Sequence, residues 1–255
     1  ELDVDERLAA LLIEVAHAAG LLAPDGDLGE SWLPTLGPSG YDAWLLKPIA
    51  ARWCALAGAW LTTTRVPALV GRREPPELTG VDFPGQNGRA GSAPNALGAD
   101  IDRALAPVVR RDVLRLLAEG RPGDALDGDA LDEMLRWSAP RRGGRLRDEL
   151  AAWTREEAEI FGFTGRGALS SFGRLLADSV LAEEGVADPV AAATDALDPL
   201  LPRPLDYVLL QADLTAIAPG PLESDLSREL SLVADVESTG GATVFRFSAA
   251  SVRRA

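Results

Sequence analysis

The sequence is short of the side chains that most often do chemistry. Its 255 residues include one cysteine, Cys54, and one histidine, His17. That excludes an intrachain disulfide, a Cys/His zinc cluster and a Cys-His couple at recognisable spacing. Of 25 basic residues only Lys47 is a lysine, so no glycine-rich loop is followed by the lysine of a Walker phosphate site. In a chain so rich in Ala, Gly and Asp, this reads as GC-rich codon usage, and arginine abundance alone signals nothing. No apolar run approaches the roughly 18 residues of a membrane span. The opening ELDVDERLAALL lacks the basic region of a signal peptide, so a soluble, cytoplasmic protein without membrane contact is expected. Because the chain opens on Glu1 and stops at SVRRA inside a starting helix, it is expected to be a piece of a longer polypeptide.

What is present is an ordinary globular balance, 47% hydrophobic and 25% charged, carrying a formal charge of −14. Such acidity opposes sequence-independent capture of a phosphate backbone by the whole molecule. The bias is uneven: residues 101–175 hold 13 basic and 13 acidic residues, whereas 176–255 hold 5 and 13.

Periodicity divides the chain into four parts. In residues 1–65, Leu8, Leu11, Leu12, Val15 and Ala19 form a helical stripe that Asp3 or Asp5 caps and Gly20 ends. Two short strands follow, near Leu21–Ala23 and Ser31–Leu33; this is the recognition helix and wing of a partial winged helix. Pro48 then opens a helix whose face holds Ile49, Trp53, Leu56 and Trp60. Residues 66–100, with five prolines and little period, read as a linker. Residues 101–185 give a helix over Val108–Glu119, a second capped by Asp129, and a third with Leu146, Leu150, Trp153, Glu157 and Phe161 on one face. Strands about Gly165-Arg166-Gly167 and a helix from Ser171 complete a winged-helix order. Residues 186–255 read as a strand, DYVLLQADLTAIA, a helix with Leu222, Leu226, Leu230, Val233 and Ala234 that Ser224 caps and Gly240-Gly241 breaks, a strand ATVFRF, and a helix capped by Ser248. The expected fold class is α+β, mainly α: winged helix-turn-helix units followed by a small α/β domain.

Candidate sites are few. Arg136, Arg141, Arg142, Arg145 and Arg147 surround Trp137 at the turn before the third helix, where arginine forks and a helix N-terminus suit phosphate. They are the candidate nucleic-acid contacts. Glu156, Glu157 and Glu159 on the same helix oppose base reading in a major groove. QADLT resembles, at a distance, the Asp-x-Asp-x-Thr strand end of haloacid-dehalogenase phosphatases, but Gln211 stands where the nucleophilic aspartate would be, so Asp213 and Thr215 are expected to satisfy local backbone groups. His17 is expected to be a partly exposed helix residue and Cys54 a small buried hydrophobe. No metal site, cofactor or catalytic residue is expected.

The run LPRPLDYVLLQADLTAIAPGPLESDLSRELSLVADVESTGGATVFRFSAASVRRA resembles the XPB-type helicase-associated domain, the XPB-like N-terminal domain of long bacterial helicase-associated proteins. QADLT, APGPL, ADVES-x-GGA and the closing RF-x-x-x-S-x-RRA carry the resemblance, with ALVGRR, LRWSAPRR and EAEIFGFTGRGALS upstream. It implies a bacterial DNA-repair or DNA-transaction module associated with sensing DNA distortion, whose motor lies elsewhere. The expectation is a non-enzymatic module that contacts a helicase or other basic protein through Asp225, Glu229 and Glu237, and DNA weakly through the arginine cluster. The alternatives are a sequence-specific winged-helix transcription regulator and a phosphoryl-transfer enzyme using Asp213.

Overall fold

The computed structural model describes residues 4–26, 31–72, 93–138, 140, 144–181 and 189–255. Asp5 opens helix α1 (Glu6–Ala18) by accepting from the Leu8 amide at 2.8 Å, and Gly20 leaves it at φ +73°. Strands β1 (Leu22–Pro24) and β2 (Trp32–Pro34) pair antiparallel, as the turn chemistry predicts. A short helix α2 (Tyr41–Leu45), not anticipated, precedes α3 (Ile49–Thr62), which buries Ala50, Cys54, Ala57, Trp60 and Leu61. Leu12 departs from the expected α1 stripe and faces solvent.

The segment expected to be a linker is tied down at both described ends. Pro67–Leu69 form a buried 3-10 turn, the Val66 amide donates to the Ile101 carbonyl, and the Gly71 amide donates to the Pro94 carbonyl. The interior of that segment lies outside the described residues.

Helices α4 (Ala106–Glu119), α5 (Gly128–Ser138) and α6 (Arg145–Ile160) are followed by strands β3 (Thr164–Gly165) and β4 (Ala168–Leu169) and helix α7 (Ser171–Leu181). The helix, helix, helix, hairpin order is present, and an Ala125–Ala168 bridge adds a third strand position beside the hairpin. Arg166 at φ +53° and Gly167 at φ +80° make the two-residue turn, the positive-φ pair that a tight hairpin of this twist requires. The cap of α5 is Asp127, which accepts from the Ala130 amide at 2.8 Å, and not Asp129.

One continuous cluster of buried residues runs from Leu11 to Ala193, so the two helical segments share a core across the boundaries expected at 65 and 100. Helix α8 (Pro189–Leu197) contributes Ala193 to that cluster, which moves it out of the C-terminal unit expected from 186. The physical reason is aromatic packing: Trp53 and Trp60 on α3 meet Phe161 and Phe163 beyond α6, with ring centroids 5.2–5.6 Å apart.

The C-terminal unit has its own cluster, Ala216, Ala218, Leu230, Ala234 and Phe245, flanked by Val208, Leu222, Leu226 and Phe247. Its four strands are β5 (Leu209–Leu210), β6 (Thr215–Ala218), β7 (Ala234–Thr239) and β8 (Thr243–Phe247), antiparallel in the order β5-β6-β8-β7. Helix α9 (Ser224–Val233) crosses between β6 and β7, and α10 (Ala249–Arg254) closes the unit with a capping box between Ser248 and Ser251.

Several expectations are corrected here. DYVLLQADLTAIA is a hairpin, because Gln211–Leu214 turns the chain and Leu214 takes φ +64°. Gly240-Gly241 turns β7 into β8, and the helix ends at Val233 because ADVEST pairs with β8. The residue at the cap of α9 is Glu223, whose side chain makes no cap hydrogen bond, and Ser224 is already the first helical residue. Leu209 is exposed, and Phe245 and Val208 share the cluster of Leu230. Across the described residues the architecture is α+β, mainly α, with two two-stranded hairpins and a small four-stranded antiparallel sheet at the C-terminal end.

Candidate functional site

The arginine cluster separates into surface and interior members. Arg136 ends α5 beside Trp137, whose indole is 88% exposed. Arg145 projects from the first turn of α6, with Glu149 at 3.9 Å. Arg147 is 7% exposed and turned inward: its guanidinium donates to the Asp148 carboxylate at 2.8 Å and reaches the Leu135 carbonyl at 3.5 Å, holding α6 to α5. That guanidinium is committed to the protein and does not face a phosphate. Arg141 and Arg142 lie outside the described residues.

Beside Trp137 a cleft of about 690 Å³ opens between α4 and α5. Leu116, Ala130 and Met134 give it an apolar lining, while Arg115 and Arg136 are balanced by Glu119 and Glu133. Arg115 is already paired with Glu119 at 3.0 Å and approaches Asp112 at 3.9 Å. An amphipathic, nearly neutral cleft under an exposed indole suits an apolar side chain or a stacked ring better than a polyanion.

The third helix does not offer the face expected of a base reader. Glu157 is buried, accepts from the Trp60 indole at 2.6 Å and lies 3.6 Å from Arg110. Arg110 also donates to the carbonyls of Trp60, Thr63 and Arg65, at 2.9, 2.6 and 2.9 Å. Burial pushes the Glu157 carboxyl up and the Arg110 guanidinium down, and their mutual attraction opposes both effects. Glu156 pairs with Arg7 of α1, and the exposed stripe of α6 carries Glu156 and Glu159. A second buried carboxylate, Glu14, takes Arg65 and the Leu97 amide, fastening the segment before α4 to α1. Neither network was visible in the sequence, since only contacts between distant segments create it.

In the C-terminal unit the QADLT residues satisfy one another. The Thr215 hydroxyl donates to Asp213 at 2.6 Å, the Thr215 amide donates to the same carboxylate at 3.2 Å, and the Gln211 amide donates to the Thr215 carbonyl at 2.8 Å. The Thr215 hydrogen bond holds the exposed Asp213 carboxyl below its ordinary range. Asp225 and Glu229 face solvent on α9. Glu237 accepts from Arg246 at 2.9 Å and Asp235 from Arg254 at 2.7 Å, so both strap the sheet.

His17 is half-buried, with its Nδ1 3.2 Å from the Leu22 carbonyl and its ring edge-on to Trp32. Cys54 is buried beside Thr194, and burial pushes its thiol up. Among the described residues, no group of three or more His, Cys, Asp or Glu side chains could hold a metal ion, and no helix is long and apolar enough to cross a membrane.

No curated protein and no solved structure matches the chain. Residues 208–255, which start one residue before β5 and take in the whole sheet with α9 and α10, match the model of the helicase conserved C-terminal domain family. That stretch is therefore similar to a helicase-associated domain.

Proposed function

We propose that this chain is a non-enzymatic, XPB-like helicase-associated module of a bacterial DNA-repair or DNA-transaction protein, which holds a basic protein partner on its C-terminal unit. The observation that carries the reading is the match of residues 208–255 to a helicase family, on a unit whose α9 surface presents Asp225 and Glu229 to solvent. A cytoplasmic location follows from this role. Acidic surfaces steer basic partners and repel phosphate backbones. DNA contact falls to the arginine cluster around Trp137, of which Arg136 and Arg145 are the surface members among the described residues, while Arg147 is committed to the interior. The test is capture of the cognate helicase by the 255-residue chain. Capture that fails at high salt and on reversal of Asp225 and Glu229 supports the reading, and capture indifferent to both removes it.

A second reading, a winged-helix transcription regulator, is favoured by the helix, helix, helix, hairpin order of residues 106–169. Glu156 and Glu159 on the exposed stripe of α6 weigh against it, since they would meet base edges with the charge of the backbone.

A further inference from the structure

The two edges of the C-terminal sheet are treated differently. Along β7 the edge is broken by a bulge between Val236 and Ser238 and lined by the Asp235–Arg254 and Glu237–Arg246 ion pairs. Bulges and charges are how sheet proteins keep an edge from pairing with another chain. The two-residue β5 edge has no bulge, and its charges, Asp206 and Asp213, stand at its ends and not along it. Leu209 is 53% and Leu210 72% exposed, with Tyr207 before them and Leu214 after them also facing solvent. Leu209 lies in register with the half-buried Ile217 and Val244 on one face of the sheet, and Leu210 with the buried Ala216 and Phe245 on the other, so each leucine extends an apolar row to the edge. The edge is also held in place from within. The Leu205 amide donates to the Pro221 carbonyl at 2.8 Å, the Glu223 amide donates to the Leu205 carbonyl at 2.9 Å, and Val208 packs on the core.

We propose that the outer edge of β5 is a strand-addition site for an extended polypeptide segment of a partner protein in which apolar and basic residues alternate. Main-chain hydrogen bonds would supply affinity, and alternate side chains would lie against Leu209 on one face and Leu210 on the other. The basic preference comes from Asp206 and Asp213, which bracket the edge and are both exposed. A second copy would bring the same two carboxylates and a chain of net charge −14 to this edge, so like charge disfavours it as occupant. The site rests on the reading of the C-terminal unit as a protein-binding platform and gives it a place and a mode.

The test uses the 255-residue chain and a fluorescein-labelled peptide of eight alternating valines and lysines, followed by anisotropy. Binding is expected to weaken by about tenfold or more when alternate peptide nitrogens are methylated, when glutamate replaces lysine, and in the Leu210→Lys chain. Leu210 is exposed enough that this variant keeps its fold, which circular dichroism checks. No binding, or equal binding of the N-methylated peptide, overturns strand addition, and equal binding of the glutamate peptide overturns the charge argument. A dimer in sedimentation that Leu210→Lys dissolves overturns the choice of occupant. Helicase capture lost on reversing Asp225 and Glu229, yet intact in Leu210→Lys with no peptide binding, sinks the edge site and leaves the proposed function standing.

Discussion

The Trp60 indole of α3 donates to the Glu157 carboxylate of α6 at 2.6 Å, across 97 residues of sequence. Arg110 lies over the same indole at 5.2 Å and 3.6 Å from the same carboxylate, so three helices meet at one buried polar point. Removing one partner of such a pair strands the other charge. Arg110→Met is expected to cost about 3–5 kcal/mol in urea unfolding. Glu157→Gln should cost less, because an amide oxygen still accepts the Trp60 N–H. Equal losses would mean that the ion pair, and not the carbonyl bonds of Arg110, dominates.

The same carboxylate sets a pH dependence. Burial raises Glu157 above its unfolded value, so the folded state keeps a proton that the unfolded chain has released. That contribution is complete below the unfolded glutamate range, near about pH 4, and is lost as pH rises through the raised folded value. Unfolding free energy measured across this window should show that loss in the natural chain and a flatter profile in Glu157→Gln. Parallel profiles would disprove the assignment.

For DNA, weak and salt-sensitive binding is expected. Replacing Arg136 and Arg145 by alanine should shrink the slope of log affinity against log salt by about 2. Arg147→Ala should instead lower thermal stability and leave that slope unchanged, since its guanidinium is spent on Asp148 and Leu135. Submicromolar binding at physiological salt that ignores Arg136 and Arg145 would refute the surface assignment.

Neither ATP nor a phosphate monoester should turn over. Asp213 is occupied by Thr215, and an amide, Gln211, stands at the place of a nucleophilic aspartate. Turnover abolished by Asp213→Asn would refute this.

Leu230 is 5% exposed beneath the sheet, and the Ser251 hydroxyl ties α10 to the Val233 carbonyl at 2.8 Å. Leu230→Ala is expected to cost about 2–5 kcal/mol and to raise hydrogen exchange over 205–255 before the helical core responds. Unchanged protection there would remove Leu230 from the core.

What could be read in the sequence was local. The stripe and Asp5 cap of α1, the Gly165–Ala168 hairpin and the Ser248 cap all rest on neighbours within a few residues. The turn at Gln211–Leu214 escaped because Asp213 is its single turn-type residue and the rest is made by side-chain bonds around Thr215 and a leucine at φ +64°. β7 escaped because Ala234 continues the stripe of α9, and only pairing with β8 makes it a strand. The shared helical core was invisible for the same reason: Trp53 finds the Phe161 carbonyl, and Trp60 finds Glu157, through tertiary contact alone. Of the candidate arginines, spacing grouped Arg147 with Arg145, whereas helical geometry turns one inward and the other out.

The two clusters of buried residues have no member in common, and this bears on the order in which the chain acquires its shape. Closing the helical core means bringing Trp53 to Phe161 and Trp60 to Glu157, long loops whose entropy must be lost before packing rewards it. The sheet unit closes between near neighbours, such as Ser251 with Val233 and Arg254 with Asp235. It should therefore assemble ahead of the helical core, whose closure waits on the longer loops.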